Sequence, residues 1–369
     1  MDTHDSHFMK LAIQEAEKGR GRTSPNPIVG AIIVRNGEVI GKGYHQKAGT
    51  AHAEINALAA ANNNTSKATM YVTLEPCNHT GRTPPCTEAI LRSGIERVVI
   101  GMTDPNPHVA GNGINRLVEN GLEVDCGILE KECKLLNLPF LKHISTGLPW
   151  VVMKAGASLD GRISYQVGSG GAITGTKAFE MVHSLRDRFD AILVGVDTAL
   201  IDNPSLTTRM SDGRGHDPLR VVLDSRLRLS VNTKMLQQQS KAETWIYCCE
   251  SAEEKKQQVL EKGGAKVYRV GGLQAQQVDL KQVLMHLSKS GITSVLVEGG
   301  SRVHGAFLKA DAVDEVYLFY APFFIGDAGT PLVSGYSSFT KAEEHFFVEH
   351  STQAVGTDLL FHGIRRYPW

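Results

Sequence analysis

The run His52-Ala53-Glu54, followed by Pro76-Cys77 and then Cys86, constrains this chain more than any other feature. It supplies one imidazole, two thiols and one carboxylate, and any fold that uses them together must bring three separated segments to one point. Zinc takes nitrogen and sulfur ligands in a tetrahedron, and a catalytic site leaves the fourth position to water. That water ionises near neutral pH and becomes a nucleophile. Glu54 would not bind the metal; it would move the proton from the water to a leaving amine. His-x-Glu with Pro-Cys-x-x-Cys is the signature of zinc deaminases. Here the spacing departs from it, because eight residues, Asn78 to Pro85, separate the cysteines.

The insert contains Gly81-Arg82-Thr83-Pro84-Pro85. Prolines remove amide donors and glycine is flexible, so it is expected as a loop beside the metal. Cys86 opens an apolar helical pattern at Ala89, Ile90, Leu91 and Ile95, and Ala53, Ile55, Ala57, Leu58 and Ala59 follow His52. Both ligand groups then fall at helix N-termini, where the dipole favours thiolate and hydroxide. A plain helical wheel does not put His52 and Glu54 on one face, so the geometry depends on where the helix starts. Inert buried cysteines beside an ordinary helix-start histidine are the alternative, and the combined pattern weighs against it.

At 369 residues the chain is long enough for two domains. Lys plus Arg equals Asp plus Glu, 39 each, so the basic excess of a nucleic-acid binder is missing. No apolar run approaches a membrane span, and MDTHDSHFMK lacks the apolar core of a signal peptide. The expectation is a cytoplasmic enzyme that acts on a small molecule, without nucleic-acid or membrane partners, as a homo-oligomer. Of the other cysteines, Cys248 and Cys249 end a strand-like run and read as packing residues. Cys126 and Cys133 have no further ligand at metal spacing.

The periodicity predicts a helix over 8–18 and strands over 29–34, 39–44, 68–74, 97–102 and 122–126. Gly147-Leu148-Pro149-Trp150 reads as a hinge, which divides the chain into domains 1–147 and 148–369. Beyond it, strands are expected from Val151 and over 190–196, 219–224, 244–248, 266–270, 293–298 and 314–321. Helices are expected near 176–188, 277–290 and 302–310, before a strand-rich tail over 345–362. This alternation predicts α/β domains with sites at the carboxyl ends of strands. Glu298-Gly299-Gly300-Ser301 has the form of a strand, a glycine turn and a helix start. Its amides would cradle an anion, with Ser301 as cap. Asp197 to Arg209 reads as a polar loop, and Arg186 with Arg209 would grip a phosphate.

Thr23-Ser24-Pro25-Asn26-Pro27, His52-Ala53-Glu54, the run from Glu75 to Cys86 and Lys154-x-x-x-Ser158-Leu159-Asp160-Gly161-Arg162 stand in this order. Together they resemble the bifunctional deaminase–reductases of riboflavin biosynthesis. Asp190 to Gly195, Asp202-Asn203-Pro204, Asp224-Ser225 and Glu298-Gly299-Gly300 agree, so the resemblance spans nearly the whole chain. It implies an α/β protein with an N-terminal cytidine-deaminase-like three-layer domain and a C-terminal dihydrofolate-reductase-like domain.

In that family the first domain hydrolyses an amino group from a diamino-ribosylamino-pyrimidinone 5′-phosphate. His52, Cys77 and Cys86 would hold Zn2+, Glu54 would be catalytic, and Asn26, His45, His79 and Arg82 would hold the substrate. The second domain uses NADPH to reduce the ribosylamino group to ribitylamino. The resemblance assigns the cofactor to Gly156, Ala172, Thr198, Asp202, Ser225 and the turn Gly300, Ser301, Arg302, Val303, His304, Gly305, Ala306. It assigns the reductase substrate to Lys154, Gly170, Arg186, Leu206, Arg209 and Glu298. Three positions depart: Ala172 stands where the family has tryptophan, Gly170 where it has serine, and Phe179 where it has arginine. These bear on the reductase's affinity and cofactor preference rather than its fold. Two rivals remain. A nucleic-acid-editing deaminase would need a basic surface and aromatic platforms. A structural zinc module fused to a nucleotide-binding domain would show four protein ligands.

Overall fold

Alternating apolar stretches in the first half fold as β1 (Gly30–Arg35), β2 (Glu38–Tyr44), β3 (Thr69–Val72), β4 (Arg97–Ile100) and β5 (Glu123–Cys126). The computed structural model describes residues 3–79, 84–106, 109–213, 215–272, 274, 276–340 and 346–369. It divides into two units, Met1–Gly147 with Pro368–Trp369, and Leu148–Tyr367.

Among the described residues of the first unit, one five-stranded sheet has the order β2-β1-β3-β4-β5. The β2-β1-β3 part is antiparallel and the β3-β4-β5 part parallel. Asn36 and Gly37, both at positive φ, make the tight β1–β2 turn, a conformation that these residue types accept without a Cβ clash. Helix α1 (Thr3–Glu17) and helix α2 (Ala53–Ala60) both pack on β1. A Cβ on Gly30 would meet the α1 backbone at Ala12 and Ala16, and one on Gly43 would meet the α2 backbone at Ala53 and Ala57. Gly43 pairs with Ala31, the neighbour of Gly30, so the two glycines face opposite sides. The sheet is therefore sandwiched between α1 and α2. α1 starts earlier than periodicity predicted because its first turn is tied down: Asp5 accepts hydrogen bonds from Arg97 at 2.7 and 2.9 Å and from Tyr71 at 2.7 Å.

In the second unit the strands are β6 (Trp150–Ser158), β7 (Arg162–Ser164), β8 (Ala191–Gly195), β9 (Leu219–Leu223), β10 (Thr244–Cys248) and β11 (Ala265–Arg269). They continue with β12 (Ser294–Val297), β13 (Glu315–Ala321), β14 (Thr330–Pro331), β15 (Glu349–Val355) and β16 (Asp358–Ile364). Nine of them form one sheet, ordered β11-β10-β9-β8-β12-β6-β13-β16-β15 among the described residues. It is parallel from β11 to β13, and β16 and β15 add an antiparallel edge. β8 and β12 are buried along their whole length, which explains their unbroken apolar runs: the central strands of a parallel sheet are covered on both faces. After β8 the chain moves outward through β9, β10 and β11, then returns to insert β12 between β8 and β6. The crevice outside such a reversal is where an open α/β sheet binds its ligand.

One expected loop is partly helical. Asp197 to Arg209 was expected as a polar loop, but Val196–Asp202 is a helix that buries Val196 and Ala199 against the core. Asn203, in the left-handed region at φ 42°, ends it. The helices Asn112–Glu119, Glu130–Leu136, Leu138–Thr146 and Glu254–Lys262 had no counterpart in the periodicity reading. They are short, and they owe their stability to packing rather than to their own sequence.

Because Gly43 lets α2 lie directly on β2, Gly43→Ala must push the two apart. It should destabilise the first unit by ~1–3 kcal/mol, the usual cost of overpacking. Denaturant unfolding is the check; an unchanged midpoint would mean that α2 yields freely.

Candidate active sites

His52 precedes α2 as its N-cap, in extended backbone at φ −74° and ψ 167°. This resolves the helical-wheel difficulty: the imidazole lies outside the helix while Glu54 sits in its first turn, so both reach one cavity. Cys86 is the first residue of helix α3 (Cys86–Arg92), and Cys77 lies in the loop after β3. The one candidate ligand atom of each of His52, Cys77 and Cys86 lies within 4.8 Å of the other two. His52 Nδ1 is 3.5 Å from Cys77 Sγ and 3.3 Å from Cys86 Sγ. A tetrahedral zinc with ordinary bond lengths has nitrogen–sulfur edges of about 3.6 Å, so these three groups fit that ion. The ligating nitrogen would be Nδ1. Among the described residues no other cluster has such geometry, and Cys126 and Cys133 make none. Hydrogen bonds from Cys86 and His52 hold the Cys77 thiol well below its ordinary range. The first amide of α3, on Cys86, points at Cys77 Sγ at 3.4 Å.

The cavity here measures about 510 Å³ and is lined by Asn26, His45, His52, Glu54, Cys77 and His79 among others. Glu54 is buried, and that burial, with the sulfur of Cys77 nearby, raises its carboxyl to about 7. Burial also lowers His45, which keeps it neutral. Its Nδ1–H donates to Ala51 O at 3.2 Å, so its Nε2 accepts from Asn26 Nδ2 at 3.1 Å. The expected residues Asn26, His45 and His79 thus share the cavity with His52 and Cys77, and Cys86 lies buried behind them. Arg82 lies outside the described residues.

One buried carboxylate here carried no sequence expectation beyond its place in the motif. Glu75, two residues before Cys77, accepts from the backbone amides of Asp104, Gly111, Gly113 and Ile114 at 2.8–3.3 Å. A glutamate at a strand end next to Pro-Cys was the only available signal.

In the second unit a cavity of about 990 Å³ opens at the carboxyl ends of β8, β9 and β12. Thr198, Asp202, Ser225, Gly300, Ser301, Arg302, Val303 and Ala306 line it, as does Gly170. Gly300 stands at φ 37°, and a Cβ there would meet Thr198 Oγ1 at 2.8 Å. The turn leaves room for a ligand's phosphate at the start of helix Ser301–Lys309, so these residues fit a dinucleotide. Ser301 is not the cap: its hydroxyl pairs with Ser334 Oγ at 2.6 Å, and Gly300 holds the cap position. Four expected cofactor residues stand off this cavity. Gly156 faces Thr174 from within β6, and Ala172 is exposed. His304 is buried with Nδ1 against Leu332 O at 3.0 Å, and Gly305 abuts Ser334 O.

Of the expected substrate residues, Lys154, Arg186 and Glu298 form one buried group. Arg186 donates to both Glu298 oxygens at 2.7 and 2.9 Å, and Lys154 Nζ lies 3.6 Å from Glu298. Burial alone would raise Glu298; Arg186 and Lys154 overcome it and hold the carboxyl at about 2. Arg186 also donates to Thr207 O at 3.2 Å, next to buried Leu206. Three of its five N–H donors are thus used within the protein. Arg209 is exposed and open to a ligand. Its backbone N–H donates to His183 Nδ1 at 3.0 Å, and its guanidinium lies 5.3 Å from the centre of the Phe179 ring. Burial, reinforced by Arg186 and Arg209, lowers His183 to about 4, so its ring is neutral.

Comparison with known proteins agrees with this division. Residues 2–102 match the cytidine and deoxycytidylate deaminase zinc-binding region, and residues 149–361 match the RibD C-terminal domain. The riboflavin biosynthesis protein RibD of Bacillus amyloliquefaciens is 42% identical over 90% of this chain and 88% of its own. That of Escherichia coli is 38% identical over 97% of this chain and 98% of its own. The crystal form 1 structure of Acinetobacter baumannii RibD superposes with a TM-score of 0.87 at 34% identity, covering 98% of this chain and 99% of that one. A Thermotoga maritima diaminohydroxyphosphoribosylaminopyrimidine deaminase/5-amino-6-(5-phosphoribosylamino)uracil reductase gives 0.86 at 36% identity over the same shares. With a zinc-deaminase half, a reductase half and similarity along almost its full length, the chain belongs to the RibD family, the bifunctional deaminase–reductases of riboflavin biosynthesis.

Proposed function

We propose that the first unit hydrolyses the amino group of a diamino-ribosylamino-pyrimidinone 5′-phosphate and that the second reduces the ribosylamino side chain of the product. The observation that carries the deaminase reading is the cluster of three metal-ligand atoms, two of them, on His52 and Cys77, at the wall of a cavity that also holds the buried carboxyl of Glu54 and the Asn26–His45 pair. His52, Cys77 and Cys86 hold zinc, which when bound supplies the Lewis acidity that makes water nucleophilic at neutral pH. Glu54 takes a proton from the attacking water and returns it to the departing amine. His45 fixes the amide of Asn26, which orients the pyrimidine, and His79 contributes at the exposed rim.

In the second unit NADPH, when bound, supplies the hydride. The Gly299-Gly300 turn and the start of its helix receive the cofactor phosphates, with Thr198, Asp202 and Ser225 along the same cavity. Lys154 and Glu298 face the reacting sugar, Arg186 keeps Glu298 ionised, and Arg209 receives the substrate phosphate. We also infer a homo-oligomer, supported by exposed Val167 and Phe324 near the stacked rings of Tyr165 and Phe323. Cytoplasmic residence is supported by six free cysteines, two of which must stay reduced to bind metal.

Metal content and proton transfer are separable. The wild type should hold about one zinc per chain, and His52→Ala should remove both zinc and deamination. Glu54→Gln should keep zinc while turnover falls at least ~10²-fold; loss of zinc in that variant would make Glu54 a structural group. Full deamination by a zinc-free sample would end the reading.

The buried ion group gives a second test. Arg186→Ala leaves Glu298 buried with a weakened partner set and should destabilise the second unit by ~3–5 kcal/mol. The Glu298 carboxyl is depressed, so its stabilisation is complete above its unfolded pKa, ~4.3. It is lost as pH falls through about 2. The difference from wild type should therefore shrink below pH ~4. Urea unfolding at several pH values reads it; a pH-independent difference would mean that Arg186 acts by packing alone.

NADPH oxidation with the deaminated substrate tests the reductase. Arg209→Ala should raise the substrate KM at least ~10-fold, the scale of a charge-assisted contact. An unchanged KM would move the phosphate elsewhere, and no oxidation by the wild type would remove the reductase reading.

A further inference from the structure

We propose that Glu75 is a positioning residue of the metal centre, acting through helix Asn112–Glu119 to hold Cys77 and Cys86 at ligand distance. The case rests on how that helix is joined to both cysteine-bearing segments. On one side, Glu75 Oε1 accepts from Gly113 N at 2.8 Å and Ile114 N at 3.3 Å. Its Oε2 accepts from Gly111 N at 3.0 Å and Asp104 N at 3.1 Å. Three of these donors are the free amides at the start of the helix, where a carboxylate is favoured by the aligned peptide dipoles. Glu75 is buried, so these amides replace water as its partners. A Cβ on Gly113 would collide with Pro76 O: the helix start touches the backbone directly before Cys77.

On the other side, Arg116 of the same helix donates to Glu88 of α3 at 2.8 and 3.1 Å. α3 carries Cys86 at its first position. The two cysteine segments also join each other. Thr87 N donates to Cys77 O at 3.3 Å, and Thr87 Oγ1 donates to Asn78 Oδ1 at 2.8 Å. Asn78 Nδ2 donates to Asn112 O at 3.3 Å, which closes the ring of contacts on the helix. Eight residues of insert leave the Cys77–Cys86 spacing undetermined by local chain geometry. The helix, clamped by Glu75 and Arg116, sets it instead. Glu75 borders the cavity but is not one of the three ligand groups; its carboxylate oxygens are turned to the four amides, and its effect on the metal centre passes through Pro76 to Cys77.

Glu75→Gln keeps the shape but replaces one acceptor oxygen with a donor, so two of the four amides lose their partner. Gly113→Ala disturbs the same contact without altering the carboxylate. Both are compared with the full-length zinc-loaded wild type at 25 °C. Zinc transfer to a chromogenic chelator, kcat and KM for deamination, thermal unfolding and NADPH oxidation are measured. Both variants should release zinc at least ~10-fold faster, the range seen when groups that orient metal ligands are lost. Deaminase kcat should fall while KM stays within ~3-fold, because the altered contact orients a ligand and not the substrate. The reductase rate should not change. Lower melting temperature with wild-type zinc release and kcat would overturn the proposal and leave Glu75 a stabilising residue only. Failure of the first unit to fold in both variants would overturn it as well. The proposal rests on the zinc reading above: a wild type that holds no zinc defeats that reading, whereas wild-type release rates in both variants defeat this proposal alone.

Discussion

The direct contact of α2 with β2 is what the deaminase half depends on. Gly41 and Gly43 carry no side chain, so the α2 backbone at Ala53 and Ala57 reaches the strand itself. Ala53 and Ala57 are fully buried and keep the helix small on that face. The close approach fixes where the helix begins. That start in turn leaves His52 in extended backbone and puts Glu54 in the first turn. The relation between an imidazole ligand and a proton-carrying carboxyl is therefore a consequence of packing between a helix and a strand. The same small-residue logic recurs on the opposite face, where Gly30 admits α1.

The two units solve the problem of buried charge in different ways. In the first, backbone amides at helix starts stabilise negative groups: α3 points its first amide at Cys77, and helix Asn112–Glu119 receives Glu75. Helix starts offer fixed dipoles that need no counterion and cost no side-chain ordering. In the second, Glu298 is matched by two cations, Arg186 and Lys154. Such a group is strong only while complete, because loss of one partner strands the others in a low dielectric. The depressed carboxyl of Glu298 reflects this arrangement.

Gly170 and Phe179, which the sequence set apart, acquire a local sense. Gly170 lies against Asp202, and a Cβ there would overlap the carboxylate, so a serine would require that side chain to move. Phe179 places an aromatic face under Arg209 and packs edge-on against His183, with ring centres 4.6 Å apart. The Phe179 ring thus supports the neighbouring guanidinium of Arg209. Nothing in the structure explains Ala172.

The sequence by itself determined the metal trio, its carboxylate, the order of the strands along the chain and the family. These features depend on residue type and spacing, which chemistry and periodicity restrict directly. It also marked the Gly299-Gly300 turn, since a glycine pair interrupts the strand and helix patterns on either side. It misjudged what depends on partners distant in the chain. Val196–Asp202 looked like a loop because its polar residues are visible locally, while the burial of Val196 and Ala199 that makes it a helix comes from the sheet. The pairing of Arg186 with Glu298 was invisible because the two lie 112 residues apart. Glu75 looked like one letter of a motif because its four amide partners lie 29 to 39 residues further on. Only the tertiary structure decided which charges meet, which nitrogen of His52 faces the sulfurs and which helix holds the cysteines. Those outcomes follow from distances across the fold, and local sequence places no constraint on them.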